Sequence, residues 1–541
     1  MTIRTPDDDV PQDPAGSYRQ FSGKNFGGIE SGRVNAGERG QIVNGGPARP
    51  DARALIRAVL DAGTWTSWDE PPADTAPPGS EYAEELAAAR AKTGYDESVI
   101  TGAGLLGGRR VAVVACEFSF LAGSIGVAAA DRLVRAIERA TAERLPLLAA
   151  PASGGTRMQE GALAFVQMVK ITAAVSAHRA AGLPYVVYLR HPTTGGVFAS
   201  WGSLGHVTAA EPGAMIGFLG PRVFESLYGY PFPEGVQVAE NLFAHGLVDA
   251  VVSAADAREI AIRALSVLCV PERLDPVPEP AGSDADVGAW QAIMTSRRDD
   301  RPGVRTLLKH AATDVTPLNG TGAGENDPGL LLALARFGAA PAVVLGQDRR
   351  SQRAGGPVGP AGLRVARRGM HLAAELGLPL VTVIDTGGAA LSKAAEEGGL
   401  AGEIARSLAD LVMLDAPTVC LLLGEGAGGA ALALLPADRV LCAQHAWLSP
   451  LPPEGASAIL YRTVDFAPEI AQAQGVRAMD LKRDGIVDRV IPECPDAAYE
   501  QQAFCERVAT ALEYEITGLL ARDPAARLAD RLARYRRVGS G

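Results

Sequence analysis

The chain is 541 residues long, 47% hydrophobic, with a formal net charge of −11 at pH 7 and a mean hydropathy of +0.08. That length and apolar content suit two cores of ordinary domain size, and the charge argues against a general nucleic-acid surface while allowing a local basic pocket for a phosphate-bearing ligand. The six cysteines, Cys116, Cys269, Cys420, Cys442, Cys494 and Cys505, form no C-x-x-C pattern and accompany no His cluster, which argues against a zinc site and suits free thiols in a reducing cytosol.

Residues 1–50 are polar and rich in Gly, Asp, Gln and Asn, and are expected to stay disordered unless a partner orders them. The start carries no apolar leader and no segment approaches about twenty uninterrupted apolar residues, so no membrane span and a cytoplasmic location are expected. An amphipathic helix starts near Asp51, with Ala54, Leu55, Ala58 and Val59 on one side. From Val111, short apolar runs alternate with helical stretches. The runs at 111–115, 145–150, 184–189, 342–346, 378–384 and 418–423 have too little polar alternation to face water, as in sheets covered by helices. Helices are predicted at 127–143 and 361–376, and the Pro-rich acidic stretch 271–288 has the composition of a linker. The expected division is an arm at 1–50, a first domain at 51–280 and a second at 281–541.

The chain contains itself twice. Val111 to Val207 aligns with Val344 to Val440 at a constant offset of 233, matching Gly123-Ser124-Ile125-Gly126 to Gly356-Pro357-Val358-Gly359, Ser153-Gly154-Gly155 to Thr386-Gly387-Gly388, and Gly195-Gly196 to Gly428-Gly429. Gly246-Leu247-Val248-Asp249 recurs as Gly485-Ile486-Val487-Asp488, 239 residues on. The period is too long for a solenoid and implies two tandem copies of one fold.

Four glycine-rich turns follow buried strands: 153–161, 193–197, 385–389 and 424–431. Glycine between a strand and a helix permits a tight turn, the commoner reason for its presence. It also lets a ligand approach the backbone and leaves amide N–H groups available, as in oxyanion holes. Matching positions in both copies favour two such holes. The sequence shows no phosphate-loop, dinucleotide or nucleophile-elbow signature. His206, aligned with Arg439, is expected to cap a turn or meet solvent. Arg157, Gln159 and Glu160 suit helix capping as well as substrate contact, and Glu396, Glu397 and Glu403 suit a solvated face.

At these loops the sequence resembles the carboxyltransferase components of biotin-dependent acyl-CoA carboxylases. The segments 152–161, 192–205 and 210–223 look like the β subunit of bacterial acetyl-CoA carboxylase carboxyltransferase, and 385–389, 394–411, 424–434 and 452–462 look like the α subunit, with 290–304 similar to the helical lead-in of α. The resemblance implies an α/β chain of two crotonase-like ββα-spiral domains, a β–α fusion that moves a carboxyl group from carboxybiotin to the α-carbon of a short acyl-CoA. On that pattern Gly195 and Gly196 hold the thioester oxygen, while Gly429 and Ala430 hold the biotin ureido oxygen. Ser153, Gly154, Gly155, Arg157, Gly387, Gly388 and Gly428 then line the substrate.

Backbone donors suit both developing oxyanions, each worth ~3 kcal/mol of barrier. The implied partners are a separate biotin carboxylase and a biotin carboxyl carrier protein, since none of the six lysines lies in a Met-Lys-Met context. The implied assembly is a homohexamer or a mixed hexamer with related subunits, with no covalent cofactor. Acetyl-CoA to malonyl-CoA is the leading reaction. Propionyl-CoA carboxylation, a decarboxylase transferase subunit and a non-catalytic paralogue are the alternatives. Two departures bear on them: no four-cysteine ribbon precedes the β-like half, and Asp-Thr-Pro-Gly-Ala-Tyr-Pro is replaced by Asp385-Thr386-Gly387-Gly388-Ala389-Ala390-Leu391.

Overall fold

The structure is a computed structural model that describes residues 49–73, 76–271 and 273–539; the polar arm expected at 1–50 therefore lies almost wholly outside the described residues. The rest builds two large sheets, one per sequence copy, and a two-stranded sheet of Thr193–Thr194 with Ile216–Gly217. In the first, the hairpin Val99–Leu106 and Arg109–Cys116 turns at Gly107-Gly108, and parallel strands Leu147–Ala150, Tyr185–Leu189, Val207–Ala210 and Ala250–Val251 add in that order. In the second, the hairpin Leu330–Phe337 and Ala340–Gln347 is followed by Leu380–Thr386, Thr418–Ala427, Arg439–Ala443 and Arg489–Ile491. Both are tandem α/β units of the crotonase-like kind.

The registers refine the repeat. Leu106 faces Arg109 across the first turn and Phe337 faces Ala340 across the second, an offset of 231. Leu147 pairs with Tyr185 and Leu380 with Thr418, which restores 233. Val207 lies opposite Val186 and Arg439 opposite Val419, which makes the offset 232. The ungapped alignment of 111–207 with 344–440 is thus corrected at both ends. Its first strand was two residues out of step, and sliding a strand by two keeps every side chain on its face, so the apolar pattern cannot reveal the slip. His206 consequently matches Asp438, not Arg439. Its Nδ1 accepts the Tyr185 N–H at 2.9 Å, and Asp438 Oδ2 accepts the Thr418 N–H at 2.8 Å. His206 is buried and does not meet solvent. The 239 offset holds: the Asp249 and Asp488 carboxylates accept from Thr208 and Val440 N–H at 2.8 and 2.7 Å.

The predicted helices fall at Val127–Ala142 and Pro360–Leu376. Each starts after a glycine that offers no side-chain cap, so a distant acid supplies one. Glu160 Oε2 accepts the Val127 N–H at 2.6 Å, and Asp327 Oδ2 accepts the Gly359 N–H at 2.9 Å. The first helix, Ala52–Val59, is capped by Asp51 and buries Ala52, Leu55 and Ile56; Ala58, expected on that face, is exposed.

Helix Ala254–Leu268 packs against the second sheet's hairpin and sends Ala261, Ala264, Leu265, Val267 and Leu268 into a core shared by both halves. Polar contacts reinforce that packing: Arg179 Nε meets Glu375 at 2.7 Å and Arg368 meets Asp249 at 2.9 Å. The stretch 271–288 has no regular structure where described. It is pinned to the second half through Ser283 N–H to the Val490 carbonyl at 2.9 Å and Lys482 to Asp284 at 2.9 Å.

Helix Gly161–Ala180, with its lead-in from Met158, is long and apolar enough by composition to cross a membrane. One side of it packs on helix Val127–Ala142.

Candidate active site

The four glycine turns pair off at the carboxyl ends of the strands, one pair per half. Gly155 and Gly388 sit at φ +110° and +137°, and Gly195 and Gly428 at φ +62° and +68°, conformations that favour glycine. Each of the last two opens a short helix, Gly195–Phe198 or Gly428–Leu432. A hydroxyl braces each first turn: Ser153 Oγ accepts the Gly155 N–H at 3.0 Å and Thr386 Oγ1 accepts the Gly388 N–H at 3.2 Å. A Cβ on Gly155 would lie 3.6 Å from the Gly196 nitrogen, so the two turns of the first half face each other closely. The Phe218 carbonyl takes the Gly195 N–H at 3.0 Å. Gly196, at the second helical position, has no carbonyl one turn back within its helix to receive its own N–H. Gly429 occupies the equivalent place. The expected pairs, Gly195 with Gly196 and Gly429 with Ala430, are therefore not equivalent between halves: Gly195 and Gly428 are turn residues, and Ala430 corresponds to buried Val197.

Beside the first pair runs an open groove of about 640 Å³, bordered by Lys92, Leu121, Ala122, Ser124, Gly154 and Met158. Leu121, Ala122 and Gly123 are three consecutive residues at positive φ, 44°, 54° and 62°. This strained run lets the Ala122 carbonyl accept the Gly154 N–H at 2.9 Å, fixing the loop edge.

Arg157 does not line this groove. It is buried, with Nη1 3.0 Å from Glu97 Oε2 and Nη2 2.8 Å from the Ser124 carbonyl; it stands at the N-cap of the short helix Met158–Glu160, but its side chain makes no capping bond there and its guanidinium is spent on the ion pair. Ser153 is likewise buried and spent on its turn. Gln159 reaches Glu85 at the surface, and Glu160 is the cap described above. Glu403 is not part of a solvated face: it is buried, and although burial pushes its carboxyl up, hydrogen bonds from Arg406 and Arg364 hold it below the usual range.

Under the second pair lies a buried polar group that the sequence reading did not single out. Asp385 is fully enclosed, which pushes its carboxyl up to about 6 against the pull of Arg349 and the Glu425 N–H. Gln347 and Gln352 accompany it, both buried. Arg297 ties Glu425, at the end of the strand leading into Gly428, to Glu454 on helix Pro453–Tyr461, at 2.7 and 2.5 Å. Among the described residues, His445, Glu493 and Asp496 stand close enough to share a cation. Arg301 already serves them as one, at 2.7 Å from Asp496 and 3.0 Å from Glu493.

Residues 61–527 match the carboxyl transferase domain family. The chain belongs to that family. The carboxyltransferase is 62% identical over 486 residues to the probable biotin-dependent acyl-coenzyme A carboxylase beta3 subunit of Mycobacterium tuberculosis, covering 90% of this chain and 98% of that one. It is 37% identical over 521 residues to the acetyl-coenzyme A carboxylase carboxyl transferase subunits beta/alpha of Salinispora tropica, covering 92% of each. Its fold is that of transcarboxylase 12S, a hexamer, with TM-score 0.69 and 21% identity over 86% of this chain and 89% of that one.

Apolar side chains crowd the surface around both pairs of turns in the carboxyltransferase. Met158, Phe165, Val169 and Phe218 are each at least 66% exposed beside the first, and Leu391, Ile459 and Leu460 at least 62% exposed on elements flanking the second.

Proposed function

We propose that this carboxyltransferase moves a carboxyl group from carboxybiotin, presented by a separate carrier protein, to the α-carbon of a short acyl-CoA, with acetyl-CoA to malonyl-CoA the leading reaction. The observation that carries the reading is the duplication of one device: a left-handed glycine opening a short helix, followed by an amide free to donate, at Gly196 and again at Gly429. The names of the relatives support the biotin and acyl-CoA chemistry.

The chain's own residues have three tasks. The Gly196 amide stabilises the oxygen of the thioester as the α-carbon loses its proton, and Gly429 with Ala430 stabilises the ureido oxygen. These donors are fixed before charge develops, so they need not reorganise. The groove from Lys92 to Gly154 receives the CoA portion, with Lys92 set to meet a phosphate. The Gly387-Gly388 turn walls the second site. Carboxybiotin supplies the CO2 and, once relieved of it, the base for the α-proton. A carboxylase and a carrier protein are the partners that load it.

The two sites belong to different halves, and the exposed apolar rims support pairing of one copy's first half with another's second. We propose a homohexamer, or a hexamer mixed with related subunits, acting in the cytoplasm, with the two domains divided near residue 280. The test is turnover by the purified assembly with its carboxylase and biotinylated carrier across acetyl-, propionyl- and butyryl-CoA. Carboxylation fastest with acetyl-CoA supports the reading; no carboxylation of any of the three contradicts it.

A further inference from the structure

Two backbone groups at the second site lose their regular partners, and one side chain satisfies both. The register between strands Leu380–Thr386 and Thr418–Ala427 shifts between Ile384 and Thr386, which takes the Asp385 N–H out of the ladder. Helix Gly428–Leu432 is too short to continue, and the Leu434 N–H turns to the Ala431 carbonyl at 3.1 Å, leaving the Ala430 carbonyl without its helical donor. Gln347, the last residue of strand Ala340–Gln347, is wholly buried between them. Its Oε1 accepts the Asp385 N–H at 3.2 Å, and its Nε2 donates to the Ala430 carbonyl at 2.8 Å. The amide orientation is unambiguous, because one neighbour can only donate and the other only accept.

Among the described residues the first half has no two-ended link of this kind: the Cys116 thiol meets the backbone at Ala152, the counterpart of Asp385, and goes no further. The hairpin register matches Gln347 to Cys116, whose buried thiol is a weak donor and too short to span two loops. The loops that Gln347 joins are the Asp385–Ala389 turn and the helix carrying Gly429 and Ala430. Their relative orientation decides where the second pair of amides points.

We infer that Gln347 is a positioning residue that fixes the geometry of the second hole, holding its two loops in one arrangement while leaving the first hole untouched. The inference rests on the function proposed above for its consequence in catalysis, but the clamp can be read without activity. Gln347→Met keeps length and volume and removes both hydrogen bonds. In the assembled protein, amide hydrogen exchange at 385–389 and 429–432 is expected to quicken at least tenfold, with 154–156 and 195–198 unchanged. Carboxyl transfer is expected to fall at least tenfold in kcat, with KM for the acyl-CoA within twofold of wild type.

Gln347→Asn, which keeps the amide but reaches only one loop, is expected to quicken exchange at one of the two segments and serves if the Met variant does not assemble. Cys116→Ser is expected to change neither hole. Unaltered exchange around the second hole, or equal acceleration at both holes, would overturn the inference. Local acceleration in a protein whose wild type transfers no carboxyl group would leave the clamp standing and refute the proposed function instead.

Discussion

Asp385 carries a carboxyl at about 6 because its enclosure disfavours the charge more than Arg349 and the Glu425 N–H favour it. The folded protein therefore binds this proton more tightly than the unfolded chain, and the stabilisation is present below the unfolded value of 3.8 and lost as pH rises through about 6. Asp385→Asn should gain stability relative to wild type between pH 4 and pH 7, by up to ~3 kcal/mol, as read by denaturant titration; a constant difference across that range would contradict it. Arg157 is the converse case, a buried ion pair with Glu97. Arg157→Ala leaves that carboxylate uncompensated and should cost ~3–5 kcal/mol of stability, with the KM of any protein that still folds unchanged. These two residues mark what was legible at this scale. The glycines were readable because their requirement is local, a left-handed turn after a strand. The role of Arg157 was not, because Glu97 lies sixty residues earlier and nothing in the local sequence predicts the pairing.

Helix Val127–Ala142 begins without a cap of its own, and Glu160, from the first glycine-rich loop, supplies it across space. A Cβ on Gly126 would stand 2.3 Å from Glu160 Oε1, so a larger residue there would displace the capping carboxylate. Glu160→Ala should cost ~1 kcal/mol, measured by thermal unfolding, and should also loosen the 153–161 loop that the same side chain ties down. The helices and strands themselves were readable from apolar periodicity, nearly to the residue at 127 and 360. Their exact correspondence between copies was not. A two-residue slip preserves the inward face of a strand, so only hydrogen-bond register distinguishes 231 from 233. His206 was misassigned for a different reason: the second copy has one residue fewer between Gly428 and Arg439 than the first has between Gly195 and Val207, so its true counterpart is Asp438, a different chemical group in the same backbone-capping role.

The two sheets, each ending in its own pair of glycine turns, give one chain two candidate sites of similar build and different surroundings. The duplication was plain in the sequence. The core that the halves share through helix Ala254–Leu268 was not, since its two faces are indistinguishable by composition from those of a helix serving one sheet.

If the exposed rims are the surfaces on which copies meet, mass measurement should find a hexamer, and Phe165→Glu or Leu460→Glu should shift it toward smaller species with loss of carboxyl transfer. On the proposed function the two holes serve different halves of one reaction, and carboxybiotin decarboxylation in assembled Gly196→Pro and Gly429→Pro proteins separates them, since proline deletes the amide donor outright. The expected result is that Gly429→Pro loses decarboxylation by ~10²-fold or more while Gly196→Pro retains it and loses only transfer to the acyl-CoA. Decarboxylation at the wild-type rate by Gly429→Pro would remove Gly429 from the biotin site and leave the 424–431 glycines as turn formers alone.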